Sequence, residues 1–212
     1  LGCEFIETDV QVSSDGIPYI FHDETLTRLL NRDDVFSSLH SNEIDNLKIF
    51  DEHSIPKLET VLRMFPDMKF QIDVKTDEVA MPALAVIQKN NAMDRVCIAS
   101  FNSKRLNLVN NNYPDICISM GPYEVAKMLL SSFGLYKKSI LGNCLQIPIY
   151  EYGIKLVTKR FVKFIHSKGL KVCVWTINDE KTFKYLIDIG VDGIITDKPK
   201  LLFEVLDSAT NQ

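Results

Sequence analysis

Short runs of apolar and β-branched residues alternate along almost the whole chain with segments whose apolar residues recur at helical spacing. Seven of these runs predict strands, at residues 5–10, 69–75, 95–101, 115–120, 144–149, 171–177 and 192–196. Helices are predicted between them where apolar residues recur at i, i+3, i+4 and i+7, as in the set Leu58, Val61, Leu62 and Phe65. Strands that alternate with helices of this length indicate βαβ units and a parallel sheet.

The residues that flank one late segment predict where its helix begins and ends. An apolar stripe runs through Phe183 and Leu186. We expect Asn178 or Asp179 to cap the start of this helix, and Gly190 to end it.

Two architectures accommodate seven such strands, namely an open doubly wound sheet and a closed eight-stranded barrel. No G-x-G-x-x-G or G-x-x-x-x-G-K-[ST] motif follows any strand, which removes the usual nucleotide-binding reason for the open sheet. Polar or aromatic residues recur instead at the carboxyl ends of the strands, as a barrel with its site at that rim requires. They are Glu7, Asp9, Asp73, Lys75, Ser100, Trp175, Asn178 and Asp197.

The pattern therefore predicts a parallel (β/α)8 TIM-type barrel, formed as a single domain over residues 1–212. Because a closed barrel needs eight strands, the missing first strand–helix unit is expected to precede Leu1. Residues 24–54 are polar with a weak helical pattern near residues 43–47, and follow a strand-like run at 17–21. We interpret them as an excursion off the barrel rim, since the segment is too short for a core of its own.

Composition and charge narrow the range of partners. Hydrophobic residues make up 46% of the 212 residues and charged residues 25%, which is typical of a globular protein. A net charge of −4 and a pI of about 5.6 argue against nucleic acid or an anionic membrane as the main partner. No apolar run approaches the roughly 18 residues of a membrane-spanning helix. The five scattered cysteines form no C-x-x-C motif, which favours packed thiols and a cytoplasmic location.

Carboxylates in two strands are candidates for a metal site. Glu7 and Asp9 are two residues apart on a strand, so their side chains share one face and repel each other unless a cation lies between them. Asp73, at the matching end of a later strand, could supply a third oxygen ligand. A set without His or Cys suits Mg²⁺ or Ca²⁺ better than zinc. The alternative is a surface strand with alternating charge.

Three further residues are candidates for chemistry or substrate binding. His22 could act as a general acid or base, or be an ordinary loop histidine. Lys75 shares a face with Asp73, where it could hold a phosphate oxygen or neutralise the carboxylates. Trp175 could form a wall for the substrate or belong to the core. The other histidines, His40, His53 and His166, are expected to be solvated or structural.

Several of these residues recur in an ordered series of motifs. The series resembles the signature of the glycerophosphodiester phosphodiesterase family. Its members here are E-T-D-V at 7–10, D-G-I-P at 15–18, H-D-E-T-L at 22–26, I-P-K-L-E at 55–59, I-D-V-K at 72–75, V-W-T-I-N at 174–178 and G-V-D-G-I-I-T-D-K-P at 190–199. The resemblance covers nearly the whole chain.

The resemblance implies a (β/α)8 barrel that hydrolyses glycerophosphodiesters to glycerol 3-phosphate and an alcohol. It implies that Glu7, Asp9 and Asp73 bind the metal ion and that Lys75 contacts the phosphate. His22 would be one of two histidines that act as general acid and base. The nucleophile implied by the resemblance is the substrate's own glycerol hydroxyl, and water then opens a cyclic phosphate.

The chain departs from the family pattern in two respects, and these leave other hypotheses open. Asp73 stands where the family has Glu, one methylene longer. The family's H-R-G and P-E-N-T motifs, which supply the other histidine and an arginine, would lie before Leu1, so we expect a chain that begins late. Alternatively, the protein is a non-catalytic barrel that binds a phosphodiester or a partner, and self-associates through open strand edges. A third hypothesis is that the protein is an enzyme of this kind whose substrates are lysophospholipids or another phosphodiester.

Overall fold

A computed structural model describes residues 2–210, which form two compact units of mixed helix and strand. One unit comprises Glu4–Ile118 and is called the N-terminal unit here. The C-terminal unit comprises the chain from Ser119 onward together with residues 2 and 3. Within the described residues, no helix has both the length and the apolar character that crossing a membrane demands.

The N-terminal unit is built on a five-stranded sheet in the order β2-β1-β5-β6-β7. Its strands are β1 (Phe5–Val12), β2 (Pro18–Ile20), β3 (Lys48–Ile49), β4 (His53–Ser54), β5 (Lys69–Val74), β6 (Val96–Ala99) and β7 (Cys117–Ile118). Its helices are α1 (Thr27–Leu30), α2 (Ser41–Ile44), α3 (Leu58–Met64), α4 (Asp77–Lys89) and α5 (Ser103–Asn112), with 3-10 turns at Phe36–Ser38 and Met93–Arg95. Strands β1, β5, β6 and β7 pair in parallel, whereas β2 pairs antiparallel with β1 at the edge.

The pairing of β1 with β5 positions the carboxylates. Strand β5 is buried from Phe70 to Val74, as expected for a parallel strand covered on both faces. In the register between the two strands, Asp9 lies opposite Asp73 and Glu7 lies opposite Gln71. Because side chains alternate between faces, the three carboxylates share one face, beside the carboxyl end of β5.

The excursion at 24–54 packs on the N-terminal unit through a cluster of buried aromatic and aliphatic side chains. The cluster consists of Tyr19, Phe21, Leu26, Phe36, Leu39, Ile44 and Ile55. The rings of Phe21 and Phe36 stack with centroids 4.7 Å apart. Since three members of the cluster lie outside the excursion, the segment shares its core with β2 and the chain before α3.

The C-terminal unit contains a three-stranded parallel sheet in the order β12-β11-β8 and a separate hairpin. Its strands are β8 (Cys144–Ile147), β9 (Tyr150–Glu151), β10 (Ile154–Lys155), β11 (Lys171–Val174) and β12 (Gly193–Ile194). Its helices are α6 (Pro122–Ser132), α7 (Lys159–Ser167), α8 (Glu180–Ile189) and α9 (Pro199–Thr210). Buried side chains of the sheet and helices, including Val172, Phe183 and Leu186, form its core.

The predicted strands are confirmed, although most are shorter than predicted. The run at 115–120 is reduced to Cys117–Ile118, and the run at 17–21 forms the antiparallel strand β2. The weak helical pattern near 43–47 corresponds to α2, which begins earlier, at Ser41. No two of the five cysteines, all of which lie among the described residues, form a disulfide.

The limits of α8 also follow the prediction, and they provide a stability test. Asp179 is the cap, because its side chain accepts a hydrogen bond of 2.9 Å from the backbone N–H of Thr182. Gly190 ends the helix with a φ of 79°.

Replacing Asp179 with alanine should lower the Tm by roughly 2–4 °C, since it leaves a helix N–H without its partner. In thermal unfolding, Asp188→Ala, at the other end of the same helix, should leave the Tm unchanged; an equal fall in both variants would contradict the capping role.

Candidate active site

An acidic cluster held together by one lysine lies where the middle of β1 runs beside the carboxyl end of β5. The Nζ atom of Lys75 lies 2.7 Å from Oδ1 of Asp9 and 2.8 Å from Oδ2 of Asp73. Lys75 follows β5 directly, and its backbone N–H donates to the carbonyl of Val10. The structure thus brings Asp9, Asp73 and Lys75 into direct contact, as a neutralising role for Lys75 requires.

The second carboxylate oxygen of Asp73 is buried without a partner. Asp73 is only 6% exposed, and its Oδ1 accepts no hydrogen bond among the described residues. An unsatisfied carboxylate oxygen in such a place is costly to the fold. A bound cation would satisfy it, and oxygen ligands are those that Mg²⁺ and Ca²⁺ prefer.

The electrostatics of the cluster also favour a divalent cation. Loss of hydration raises the pKa of Glu7 to about 7, and repulsion from Asp9 and Asp73 acts in the same direction. Burial likewise raises the pKa of Asp73, although Lys75 opposes this. Three carboxylates facing a single ammonium group leave an excess of two negative charges when all are ionised. A doubly charged cation would balance that excess and lower both pKa values.

His22 lies just beyond β2, with its ring oriented by a neighbouring carboxylate. Its Nδ1 lies 2.6 Å from Oδ1 of Asp23. Arg28 in turn donates to both oxygens of Asp23, at 2.7 and 3.0 Å. Because a carboxylate can only accept, Nδ1 of His22 carries the proton, and Nε2 is the atom left for proton exchange. The His22 side chain is 61% exposed, so a substrate can reach it.

Strand β1 fixes the backbone that carries His22. The N–H of Phe21 donates to the carbonyl of Asp9, at 3.1 Å. The amide of Gln11 donates to the carbonyls of His22 and Asp23, at 3.3 and 3.2 Å. One strand therefore places two acidic residues and the candidate acid–base histidine together.

Three residues that bond within the segment carrying His22, and one that bonds to the end of β5, were not predicted to have a role. They are Gln11, Asp23 and Arg28, and Arg105, which donates to the carbonyl of Val74. Gln11 continues the two-residue spacing of Glu7 and Asp9, which is a signal that could have found it. Asp23 lies within the H-D-E-T-L motif, directly after the histidine that it orients. Arg28 and Arg105 reach their partners across turns, and no local spacing indicates them.

The remaining candidates belong to other elements of the fold. Trp175 follows β11 in the C-terminal unit, where it is half-buried. Its backbone N–H donates to the carbonyl of Ile147. Asn178 donates to Asp197 at 2.8 Å. The prediction for the other three histidines is confirmed: His40 caps α2, His166 bonds to Asp192 at 2.8 Å, and His53 is exposed.

Parallel strands followed by helices, with carboxylates, a lysine and a histidine gathered at the strands' carboxyl ends, define an α/β enzyme whose site suits a phosphate ester. Residues 1–201 match the Glycerophosphoryl diester phosphodiesterase family, and the chain belongs to that family. It is a phosphoric diester hydrolase with the TIM-barrel fold of the family.

Individual relatives agree with this assignment. The chain is 32% identical to a probable glycerophosphodiester phosphodiesterase 2 of Mycobacterium tuberculosis, over 97% of this chain and 80% of the relative. It is similar to a putative glycerophosphoryl diester phosphodiesterase from Silicibacter pomeroyi, with a TM-score of 0.80, 19% identity, and coverage of 99% and 85%. A phosphodiesterase from Oleispira antarctica, in complex with the product sn-glycerol 3-phosphate, matches with a TM-score of 0.80, 23% identity, and coverage of 97% and 86%.

Proposed function

We propose that this phosphodiesterase hydrolyses glycerophosphodiesters to glycerol 3-phosphate and an alcohol, with Mg²⁺ or Ca²⁺ bound by Glu7, Asp9 and Asp73. The observation that carries the proposal is the unpartnered, buried Oδ1 of Asp73 within a cluster of three carboxylates that one lysine only partly neutralises. The glycerol 3-phosphate product reported with the Oleispira antarctica enzyme supports the choice of products.

The donor set fits a hard cation. All three side chains offer carboxylate oxygens, and the cluster that they form contains no thiol or imidazole ligand. When bound there, the ion supplies positive charge to the phosphoryl oxygens as negative charge builds on them.

The protein's own side chains would bind the phosphate and move the protons. Lys75 carries a compact point charge, and it would hold a phosphate oxygen at the edge of the acidic cluster. His22 would transfer a proton at Nε2 to or from an alcohol oxygen, while Asp23 holds the ring in one tautomer. We also predict that Trp175 forms one wall of the substrate-binding site.

The test is a hydrolysis assay on the protein expressed from its complete reading frame. With glycerophosphocholine and millimolar Mg²⁺ or Ca²⁺, we expect equal amounts of glycerol 3-phosphate and choline, and no turnover after EDTA treatment until the cation is restored. Phosphocholine and glycerol as products would refute the proposed bond cleavage. Full activity in EDTA would refute the role of the cation.

A change at Asp23 tests whether the orientation of His22 matters. Asp23→Asn removes the charge that accepts from Nδ1, so kcat should fall at least roughly tenfold, whereas cation affinity should not change. Asp34→Asn is the matched control, because Asp34 lies in the same segment and also pairs with an arginine, at 2.8 Å from Arg32. Equal kcat values for the two variants would show that Asp23 has no such role.

A further inference from the structure

Arg105 is a largely buried arginine whose bonds lead to the end of the strand that carries Asp73. It lies in the first turn of α5, and its side chain is only 11% exposed. Its Nη1 donates to the carbonyl of Val74, at 2.7 Å, and to Oγ of Ser100, at 2.8 Å. Its Nε donates to Oδ1 of Asp77, at 2.7 Å. A single guanidinium thus ties together the segments that follow β5 and β6.

The position of this arginine is not explained by the helix that carries it. The amino end of a helix attracts anions and repels cations, so Arg105 gains nothing from the dipole of α5. Its planar fork instead matches three acceptors that lie outside the helix, and Ser100 strengthens the arrangement by donating to the same carbonyl of Val74, at 3.2 Å. These hydrogen bonds therefore hold the carboxyl end of β5 in place.

That end of β5 decides where the Asp73 carboxylate points. Val74 is the next residue after Asp73, and an aspartate side chain has only two rotatable bonds, so its oxygens follow the backbone closely. Arg105 is thus linked to Asp73 through the backbone at the end of β5.

We propose that Arg105 is a positioning residue of the cation site, which fixes the end of β5 so that Asp73 presents its buried oxygen to the ion. The inference rests on the proposed function, because it presupposes that Asp73 binds a cation. Arg105 itself touches neither the ion nor the substrate. It acts through the backbone carbonyl of Val74 and the hydroxyl of Ser100.

Arg95 provides a matched control within the same unit. Its guanidinium likewise donates to three acceptors, the carbonyls of Leu62, Phe65 and Met68, at 2.9, 3.1 and 2.9 Å. It precedes the first residue of β6, however, and so it lies at the amino ends of the strands. Substitutions of Arg95 should lower stability as those of Arg105 do, but they should leave the cation site intact.

The experiment compares Arg105→Lys and Arg105→Met with Arg95→Lys and Arg95→Met, using calorimetric titration with Mg²⁺ and Ca²⁺, thermal unfolding and steady-state kinetics. We expect Arg105→Met to weaken cation binding roughly 10- to 100-fold, because partners of metal ligands commonly have effects of this size. Arg105→Lys keeps the charge but loses the fork, so its affinity should lie between those of Arg105→Met and wild type. Raising the cation concentration should restore much of the kcat of Arg105→Lys. The Arg95 variants should bind the cation as wild type does.

Asp77→Asn extends the test without touching the arginine. It weakens the bond to Nε of Arg105, and Asp77 is largely exposed, so this variant should fold and show a smaller loss of cation affinity in the same direction. Unchanged cation affinity in Arg105→Lys and Asp77→Asn, with wild-type hydrolysis intact, would overturn the inference alone. A wild-type protein that neither binds the cation nor hydrolyses the diester would overturn the proposed function, and the inference with it.

Discussion

Replacing Glu7 with glutamine is expected to abolish productive cation binding and, in the same step, to raise the Tm of the cation-free protein above pH 7. Glutamine keeps the size of the side chain but offers one weaker oxygen ligand and no charge. Loss of a cation that stabilises the phosphoryl oxygens by several kcal/mol corresponds to a fall in kcat/KM of roughly 10²- to 10³-fold. We therefore expect almost no hydrolysis by Glu7→Gln at any Mg²⁺ or Ca²⁺ concentration.

The gain in stability follows from the sign of the pKa change. Burial and the neighbouring carboxylates raise the pKa of Glu7 from 4.5 to about 7, so the folded state binds this proton more tightly than the unfolded state does. The stabilising contribution of the protonated group is fully present below pH 4.5 and is lost as the pH rises to about 7. Since glutamine cannot ionise, the Tm difference between variant and wild type should grow over this range and stay level above it.

Thermal unfolding between pH 4 and pH 9, with and without Mg²⁺, measures both effects. Wild type should gain stability from the cation above pH 7, whereas Glu7→Gln should not. Glu4→Gln is the matched control, because Glu4 lies three residues before Glu7, just outside β1, and is not one of the three proposed ligands. A Tm difference that does not change with pH, or a variant that binds Mg²⁺ like wild type, would show that Glu7 is not a ligand.

Replacing His22 with alanine should cost roughly 10²- to 10⁴-fold in kcat, the range typical of a lost general acid or base. Cation affinity should be nearly unchanged, because His22 contacts Asp23 and none of the three proposed ligands. This separation between kcat and cation affinity distinguishes His22 from Glu7, whose substitution affects both.

The matched control for this change is His53→Ala. His53 is also exposed, lies in the same N-terminal unit, and pairs only loosely with Glu52, at 3.7 Å. Steady-state kinetics at saturating cation, with a calorimetric titration of each variant, give the comparison. If His22→Ala retains kcat within about twofold of His53→Ala, proton transfer in this enzyme does not use His22.

Several features of the site could be predicted from the sequence because they are local. Glu7 and Asp9 share a face since the side chains of a strand alternate every second residue. The limits of α8 were predictable for the same reason, because Asp179 and Gly190 act on the backbone beside them. The ordered motifs along the chain indicated the family, which the match over residues 1–201 confirms.

Other features depend on contacts between residues that are far apart in the sequence. The placement of Asp9 opposite Asp73 is set by the register of two strands separated by the whole excursion. Nothing in the local pattern shows that Phe36 and Ile44 of this polar segment are buried, since their partners lie in β2 and before α3. Arg105 is a further case, because its three acceptors belong to segments other than its own helix.

The sequence was sufficient to predict the order of strands and helices, the shared face of Glu7 and Asp9, and the candidate roles of His22, Asp73 and Lys75. The tertiary structure was needed to show that Lys75 bridges Asp9 and Asp73 and that an oxygen of Asp73 is buried without a partner. It was also needed to show that Arg105 donates to the carbonyl of Val74 at the end of β5. The difference arises because backbone periodicity depends on residues that are neighbours in the sequence. Register, burial and charge contact arise only when distant segments pack together.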